Sequence, residues 1–302
     1  MVGQLKLADL LKVALDETRM QMLGLAVFLG FQLNAPFQSA FTTNARVAQI
    51  AALALYLIIA TWALIVSVPC QHRIVENGED DPRIFKLAQN VACVSLLPLA
   101  LAIACDIYVV LAQDLSDIAV VVAASVAAAA FVCWYLLGYA LRHREQKDFK
   151  MPAKTESTLH VKIDQMLTEA RVILPGAQAL LGFQLIVTMT QAFAEMSFAL
   201  RLMHFGALLA VAMAIVLLLA PAAVHRIAYN GMDNARFHGV GSMLVTVALA
   251  PLAVGIAADT YVATLKMLES ATLATVGAVL VFVLLFGLWY VAPLVVKYAR
   301  RR

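Results

Sequence analysis

The sequence predicts an all-α integral membrane protein with eight transmembrane helices, built as two parallel four-helix repeats. Two observations support this prediction. Of the 302 residues, 63% are hydrophobic and only 14% are charged, with a mean hydropathy of +0.86, whereas about 25% of the residues of a soluble globular domain are charged. In addition, the same apolar runs and the same polar residues occur twice along the chain in the same order.

The apolar runs predict where the helices lie. A helix needs about 20 apolar residues to cross a hydrocarbon core of about 30 Å. Runs of this length cover residues 21–41, 47–69, 90–112, 117–139, 172–194, 202–222, 240–264 and 272–294. We therefore predict one repeat over residues 1–141, a charged cytoplasmic linker over 142–156 and a second repeat over 157–302.

The distribution of basic residues predicts the orientation. All but three of the 22 Lys and Arg residues fall in segments that share one side of the membrane; Arg46, Arg201 and Lys266 are the exceptions. This positive-inside pattern predicts a multi-pass protein of the bacterial inner membrane with both termini in the cytoplasm. The expected partner is the lipid bilayer, including its anionic head groups; the sequence leaves a homo-oligomer open, and nothing favours nucleic acid.

Apolar residues at helical spacing precede the first span of each repeat. They are Leu7, Leu11 and Leu15 in the first repeat and Leu159, Ile163 and Leu167 in the second. The spacing predicts a short amphipathic helix lying on the membrane surface before each repeat. Residues 1–20 contain three acidic residues and no compact apolar core with a small-residue cleavage site, so they do not resemble a signal peptide.

Polar patterns inside the helices align the two repeats. The matched segments are GFQL at 30–33 and 182–185, His-Arg at 72–73 and 225–226, and PLALAIACDIYV at 98–109 with PLAVGIAADTYV at 251–262. Because each unit has an even number of spans, both copies insert the same way up. We therefore expect a pseudo-twofold axis along the membrane normal.

One of these segments also carries a family resemblance. TEARVILPGAQALL, residues 168–181, has the pattern E-x-R-V-x-x-x-G-x-Q-x-L, followed by an apolar run, Gln-x-Phe, Pro and His-Arg. In this it resembles an uncharacterised bacterial family of small four-helix membrane proteins, known only as a domain of unknown function. The first half departs at Met20 and Ala26, where the second has Val172 and Gln178, while Gly24 matches Gly176. The resemblance implies a duplicated fold unit and brings no activity.

Asp106 and Asp259 are the first candidates for a site. They occupy equivalent positions near the outer ends and, apart from Asp117 at the first residue of its span, are the acidic residues inside the predicted spans. A charged carboxylate in lipid costs roughly 2.5 kcal/mol or more, so each needs a partner, a water-filled cavity or a proton. The functional interpretation is an ion-binding or protonation site. The structural alternative is an interfacial aspartate hydrogen-bonded to a neighbouring helix.

Further polar residues accompany the aspartates, with the glutamines below them near mid-membrane. Gln32 and Gln184 lie in the GFQL segments, where a buried amide either joins helices or contacts a transported ion. Tyr108 and Tyr261 follow the aspartates and also suit an aromatic belt, as do the Trp-Tyr pairs at 134–135 and 289–290. If the Asp and Gln pairs converge, two carboxylates and two amides surround one axis.

Pro98 and Pro251 are predicted helix kinks. Each removes one helical hydrogen bond and frees the carbonyl four residues earlier, that of Val94 or Val247. Such carbonyls either line an ion path or are satisfied by packing or by a hydroxyl such as that of Ser95 or Thr246.

A charged cluster is expected at the inner mouth. Its members are Glu17, Arg19, His72 and Arg73 in the first repeat and Glu169, Arg171, His225 and Arg226 in the second. The simplest interpretation is salt bridges and head-group contacts; an inner gate is the functional one. Paired histidines are also able to ligate haem or accept protons.

The remaining chemistry-bearing residues exclude several classes. The cysteines, at 70, 93, 105 and 133, lie in the first repeat without counterparts, which disfavours a disulfide or metal framework. No nucleophile triad, phosphate loop or metalloprotease motif occurs, so we expect no enzyme, no metal and no cofactor. The leading hypothesis is a channel or transporter for a small cation or proton; a non-transporting scaffold or sensor is second and a haem redox protein third.

Overall fold

The chain is described by a computed structural model over residues 7–41, 44–137, 139 and 157–300. Within those residues all regular structure is helical, and eight helices are long and apolar enough to cross a membrane. This confirms the predicted all-α class and the eight spans of a multi-pass membrane protein. The predicted linker over 142–156 lies outside the described residues.

The eight helices form two sets of four. In the first copy they are α1 (Leu7–Asn34), α2 (Ala45–Ile74), α3 (Pro82–Leu111) and α4 (Ser116–Phe131). In the second they are α5 (Leu159–Thr188), α6 (Phe198–Tyr229), α7 (Ala235–Leu268) and α8 (Ala271–Phe286). Short π-helical segments, Val132–Leu136 and Gly287–Val291, extend α4 and α8, and a last helix covers Ala292–Ala299.

Local sequence explains where the helices begin and end. The Asn44 side chain accepts from the backbone of Arg46 and so caps α2, and Asn234 caps α7 in the same way. The turn after α2 places Gly78 at φ +77°, and the turn after α6 places Gly231 at φ +77°. Glycine tolerates this left-handed conformation, so the repeated Asn-Gly sequence stops the same helix in both copies.

The prediction of separate amphipathic helices was wrong. Residues 7–20 are the first turns of the continuous helix α1, and Leu7, Leu11 and Leu15 are buried against the protein. The start of α5 is continuous in the same way and buries Ile163 and Leu167. A leucine stripe at helical spacing packs equally well on a membrane surface or on a neighbouring helix, and here the neighbour is protein.

The contacts between the two copies are not mutual. Helices α1 and α5 pack together, and α2 packs against α7 and α8 of the second copy. The equivalent contact, of α6 with α3 and α4, is not formed to any comparable extent among the described residues. A twofold axis makes every contact between copies mutual, so these contacts do not confirm the predicted pseudo-twofold relation.

The contact of α2 with α8 centres on two tryptophans. Trp289 is fully buried, and its indole N–H donates to the carbonyl of Ala63 over 3.1 Å. Its ring meets Trp62 edge to face, with the centroids 5.5 Å apart. Trp289 is therefore a core residue that joins the two copies, and its predicted place in an aromatic belt was wrong.

Pro98 and Pro251 each lie inside an uninterrupted helix. Just before each proline, a tyrosine from the neighbouring π-helical segment reaches the helix backbone. The Tyr135 hydroxyl donates to the Cys93 carbonyl over 2.6 Å, and the Tyr290 hydroxyl donates to the Thr246 carbonyl over 2.5 Å. In both copies a tyrosine therefore binds the carbonyl one residue before the one that the proline frees, which belongs to Val94 or Val247.

Candidate functional site

The most densely bonded polar group within the helices surrounds Asp259 in the second copy. Asp259 on α7 and His204 on α6 are only 4% and 3% exposed. The Gln184 amide on α5 donates to Asp259 Oδ2 over 2.5 Å, while His204 Nδ1 lies 2.9 Å from Asp259 Oδ1. His204 Nε2 lies 3.0 Å from the backbone oxygen of Gln184. Three helices therefore meet at one carboxylate, which we call the Asp259 site.

The geometry of His204 requires a shared proton. A carbonyl oxygen only accepts, so Nε2 carries a hydrogen and donates to the Gln184 carbonyl. Nδ1 then presents a lone pair to Asp259 Oδ1 unless one of the two atoms is protonated. One proton thus lies between them, either on an imidazolium beside a carboxylate or on a carboxylic acid beside a neutral imidazole.

The surrounding chain holds His204 in place. A single helical turn, Gln191–Ala194, follows α5, and its buried Phe193 meets the imidazole ring edge to face at 5.4 Å. Asp259 lies nine residues before the end of α7, which is about 14 Å at 1.5 Å rise per residue. Asp259 therefore lies further from the end of its helix than the sequence predicted, because α7 continues to Leu268.

The equivalent site in the first copy is simpler. The Gln32 amide on α1 donates to both carboxylate oxygens of Asp106 on α3, over 2.6 and 2.7 Å. Ala51 occupies the position on α2 that corresponds to His204 on α6. Asp106 is half-buried, and it lies five residues before the end of α3 at Leu111, or about 8 Å.

The structure joins each glutamine to the aspartate of its own copy, Gln32 to Asp106 and Gln184 to Asp259, and does not bring all four around one axis. Within the described residues, no hydrogen bond or ion pair joins the pair at Asp106 to the pair at Asp259, so each copy keeps its own site. Tyr108 and Tyr261 are partly buried, and neither phenol bonds to the aspartate of its copy in the described chain.

Two cavities lie near the Asp259 site. A void of about 10 Å³ touches Gln184, His204 and Asp259, a volume that holds about one water molecule. A much larger open vestibule, about 840 Å³, lies beyond it between the two copies and is lined by the charged residues Glu195, Lys266 and Glu269. Phe37, only 4% exposed, lines both spaces. Phe37 is therefore the lining residue that the two spaces have in common.

The void also borders an unsatisfied acceptor. Gln184 Oε1 is buried and receives no hydrogen bond from the described residues. Because the Gln184 amide nitrogen is already committed to Asp259, the free oxygen is the end of the amide that is able to bond a water or hydroxyl in the void. Gln184 therefore provides a free hydrogen-bond acceptor next to the Asp259 carboxylate.

The predicted inner cluster forms an ion pair between the copies. Arg73 at the end of α2 donates through Nε to Glu169 over 3.0 Å and makes a second, shorter contact through Nη2. Its Nη1 reaches the Thr246 hydroxyl at 3.2 Å. Both charged side chains are buried, so the pair joins α2 of the first copy to α5 of the second.

The other members of the inner cluster do not join this pair. Arg19 is buried and donates to Asp16 over 2.6 Å. His72 is buried, and its Nε2 has no hydrogen-bond partner among the described residues. His225 stacks on Phe237 with the ring centroids 4.5 Å apart. The remaining members, Glu17, Arg171 and Arg226, are exposed.

Sequence reasoning missed His204. The repeat alignment drew attention to residues present in both copies, and His204 has no counterpart in the first. Its signal was available as a histidine inside the apolar run FALRLMHFGALL. Such a side chain within a span needs a partner, and the two candidate partners, Gln184 and Asp259, were already recognised.

Comparison with known proteins identifies the sequence family of both halves. The family of unknown function DUF6328 matches the chain twice, over residues 6–138 and 154–293. The chain belongs to DUF6328. The double match confirms the predicted tandem duplication of an uncharacterised family. No curated protein and no solved structure matches the chain. Each half of the chain therefore contains one DUF6328 unit.

Proposed function

We propose that this DUF6328 protein transfers protons across the membrane and that Asp259 and His204 form its proton-binding site. The observation that carries the proposal is the bonding of the buried imidazole. With Nε2 donating to a backbone carbonyl, the contact between Nδ1 and Asp259 Oδ1 exists only when one proton lies between them.

Loss of that proton has a structural consequence. A lone pair on His204 then faces a carboxylate oxygen in a site of low dielectric, and the two atoms repel each other. The contact between α6 and α7 is weakened, while the Gln184 amide still holds Asp259 from α5. Proton release is thereby coupled to a change in helix packing, which is what alternating access or gating requires.

A proton suits the site better than a metal cation does. The void beside Asp259 holds about one water and is bordered mainly by apolar side chains. A hard cation such as Mg²⁺ or Ca²⁺ takes six or more oxygen ligands, and a carboxylate with one amide and one imidazole falls short of that number. Within the small-cation hypothesis, this donor set favours the proton over a hard divalent cation.

A route to one side of the membrane is short. Protons enter the vestibule, which carries both acidic and basic side chains, and pass Phe37 to reach the void and the carboxylate. Towards the other side lies the buried pair of Arg73 and Glu169, with a second small cavity of about 10 Å³ that touches His72. Movement of α6 against α7 would have to connect the two regions.

The proposed setting follows the distribution of charge. Nearly all Lys and Arg residues fall on one side of the eight spans, which supports a bacterial inner membrane location with both termini in the cytoplasm. The vestibule then faces outward. The short connections between helices favour a transport protein over an enzyme.

A non-transporting scaffold or sensor is the second candidate. One observation favours it: each polar contact near Asp106 and Asp259 joins one helix to another, as interhelical hydrogen bonds do in membrane proteins without a transport role. In that case the proton on His204 serves only to hold α6 against α7.

Proton flux in proteoliposomes separates these candidates. We expect Asp259→Asn to abolish the flux carried by the wild type, because the amide cannot exchange a proton with His204. Asp106→Asn is the matched control, and it should retain most of the flux since its carboxylate has no imidazole partner. Both variants must insert and fold equally. An absence of wild-type flux under gradients of either direction would reject transport and favour the scaffold.

A further inference from the structure

Within the chain, each DUF6328 unit uses only one of the two surfaces that are able to join it to another unit. The first unit contributes α2, and the second receives it on α7 and α8. The second unit has its own equivalent of α2, which is α6, and the first has its own receiving surface on α3 and α4. Each of these two surfaces is an unused copy of one side of the observed interface.

The outer stripe of α6 repeats the buried stripe of α2. Ala63 and Val66 on α2 are 0% exposed where they pack against the second copy, whereas their counterparts Val216 and Leu219 on α6 are 62% and 46% exposed. Leu209 is likewise exposed at the position of Tyr56, whose hydroxyl bonds Thr264 across the observed interface. The α6 stripe is therefore an uncovered version of an interface surface.

The receiving surface on α3 and α4 is uncovered as well. Ala263 on α7 is fully buried, whereas its counterpart Val110 on α3 is exposed. Trp289 is fully buried against α2, whereas Trp134, its counterpart on α4, is only half-buried. The residues that accept α2 in the second unit thus have accessible equivalents in the first.

Glycine sites on α1 and α5 show the same pattern. Gly30 lies under the ring of Phe183, so close that a Cβ would come within 2.1 Å of a ring carbon. The equivalent pair is Gly182 and Phe31: the glycine has nothing within 4 Å, and the phenylalanine is exposed. Gly182 is therefore open to close helix approach, and the Phe31 ring, which meets Phe183 at 4.5 Å on one side, is otherwise exposed.

A charged pair completes the match. The buried ion pair between units is Arg73 with Glu169. The equivalent residues are Arg226 and Glu17, and both are exposed without an ion-pair partner in the described part of the chain. An apolar stripe alone would suit lipid equally well, but an arginine and a glutamate at matching positions, together with an open glycine site, fit protein.

We propose that a second copy of this chain docks on these surfaces. Helix α6 of one chain packs against α3 and α4 of the other, and Arg226 pairs with Glu17 of the second chain, repeating between chains the interface that joins the units within one chain. Such head-to-tail contacts close into a ring or continue as a filament. Two chains, with four units, are the smallest closed form.

Cross-linking in bilayers tests the proposed contact. The four cysteines are first replaced by their second-unit counterparts, through Cys70→Ala, Cys93→Thr, Cys105→Ala and Cys133→Leu. One tagged chain then carries Val216→Cys and a differently tagged chain carries Trp134→Cys, the equivalents of Ala63 and Trp289. We expect a bis-maleimide reagent to link the two tags. In the control, Leu136→Cys replaces Trp134→Cys. Its counterpart Val291 is exposed, so the observed interface does not cover that position.

Charge reversal supplies an independent readout. We expect Arg226→Glu to reduce the dimer fraction, measured by single-molecule photobleaching in bilayers, by about tenfold or more, and the double change with Glu17→Arg to restore it. Lys86→Glu is the control, since its counterpart Gly239 is exposed and the observed interface does not cover that position. A monomeric wild type in bilayers, or equal linkage in the Leu136→Cys control, would overturn the proposal. Neither readout depends on proton transfer.

Discussion

The two DUF6328 units carry the same glutamine and aspartate in different surroundings. In the first unit Gln32 alone binds Asp106, which is half-buried near the end of its helix. In the second unit Asp259 is deeply buried and also meets His204, so its carboxylate joins three helices instead of two. One additional histidine separates a pair that links helices from a group that must hold a proton.

The difference shows what duplication makes available. The residues shared by both units, such as the glutamines, the prolines and the tyrosines that reach the helix backbone, form the same local contacts twice. Residues found in one unit, such as His204, add chemistry to that common frame. Contacts between units differ for another reason, because α2 is covered by the second unit whereas α6 is not.

The largest expected contrast concerns the buried ion pair. Arg73→Ala leaves Glu169 buried without its partner, and we expect it to lower the free energy of unfolding by about 3 to 5 kcal/mol. Arg226→Ala alters the exposed counterpart and should change the stability of the single chain by less than about 0.5 kcal/mol. Unfolding titrations in detergent, at a dilution chosen to keep the chain monomeric, measure both. Equal losses would show that the units are not distinguished in this way.

A smaller contrast is expected at the paired glycines. Gly30→Ala places a Cβ against the Phe183 ring, and we expect it to destabilise the single chain by about 1 to 3 kcal/mol through overpacking. Gly182→Ala meets nothing within 4 Å and should stabilise the helix by up to about 1 kcal/mol. The same detergent titration compares the two variants, and a loss of stability for Gly182→Ala would contradict the observed packing.

At the paired tyrosines we expect no difference in stability loss between the two units. Tyr135→Phe and Tyr290→Phe each remove one hydroxyl from a backbone carbonyl beside a proline-containing segment. Because both units make this bond, we expect each variant to lose about 0.6 kcal/mol, the average for interhelical bonds in membranes. Thermal unfolding of the two variants side by side checks this. A loss confined to one unit would mean that the tyrosines differ in role.

Much of this fold follows from hydropathy and repetition. Eight spans and their two sets of four were predictable because apolar runs of about 20 residues are typical of helices that cross a bilayer. The pairing of Gln32 with Asp106 and of Gln184 with Asp259 was predictable in principle. A polar group inside a span needs a partner, and each copy supplies one such glutamine and one such aspartate. The partner of Arg73 was not, since the sequence offers an equivalent glutamate in each unit and only packing selects Glu169.

Two features were beyond the repeat pattern. The leucines of residues 7–20 predict an apolar face but not what covers it, and the cover proved to be protein. His204 stood outside the alignment of shared residues, so the sequence pointed to the aspartates without showing that they differ. Depth along the helix contributes as well, because α7 continues past the predicted span and places Asp259 further from the helix end than Asp106.

The central claim is that Asp259 and His204 hold an exchangeable proton. The most direct test is the nitrogen chemical shifts of the His204 imidazole, recorded by solid-state NMR in bilayers over a range of pH. We predict that Nε2 stays protonated and that the Nδ1 shift changes with pH in the wild type and in Asp106→Asn. In Asp259→Asn we expect a different Nδ1 shift. An Nδ1 signal that is constant with pH, and unaltered by Asp259→Asn, would contradict the account.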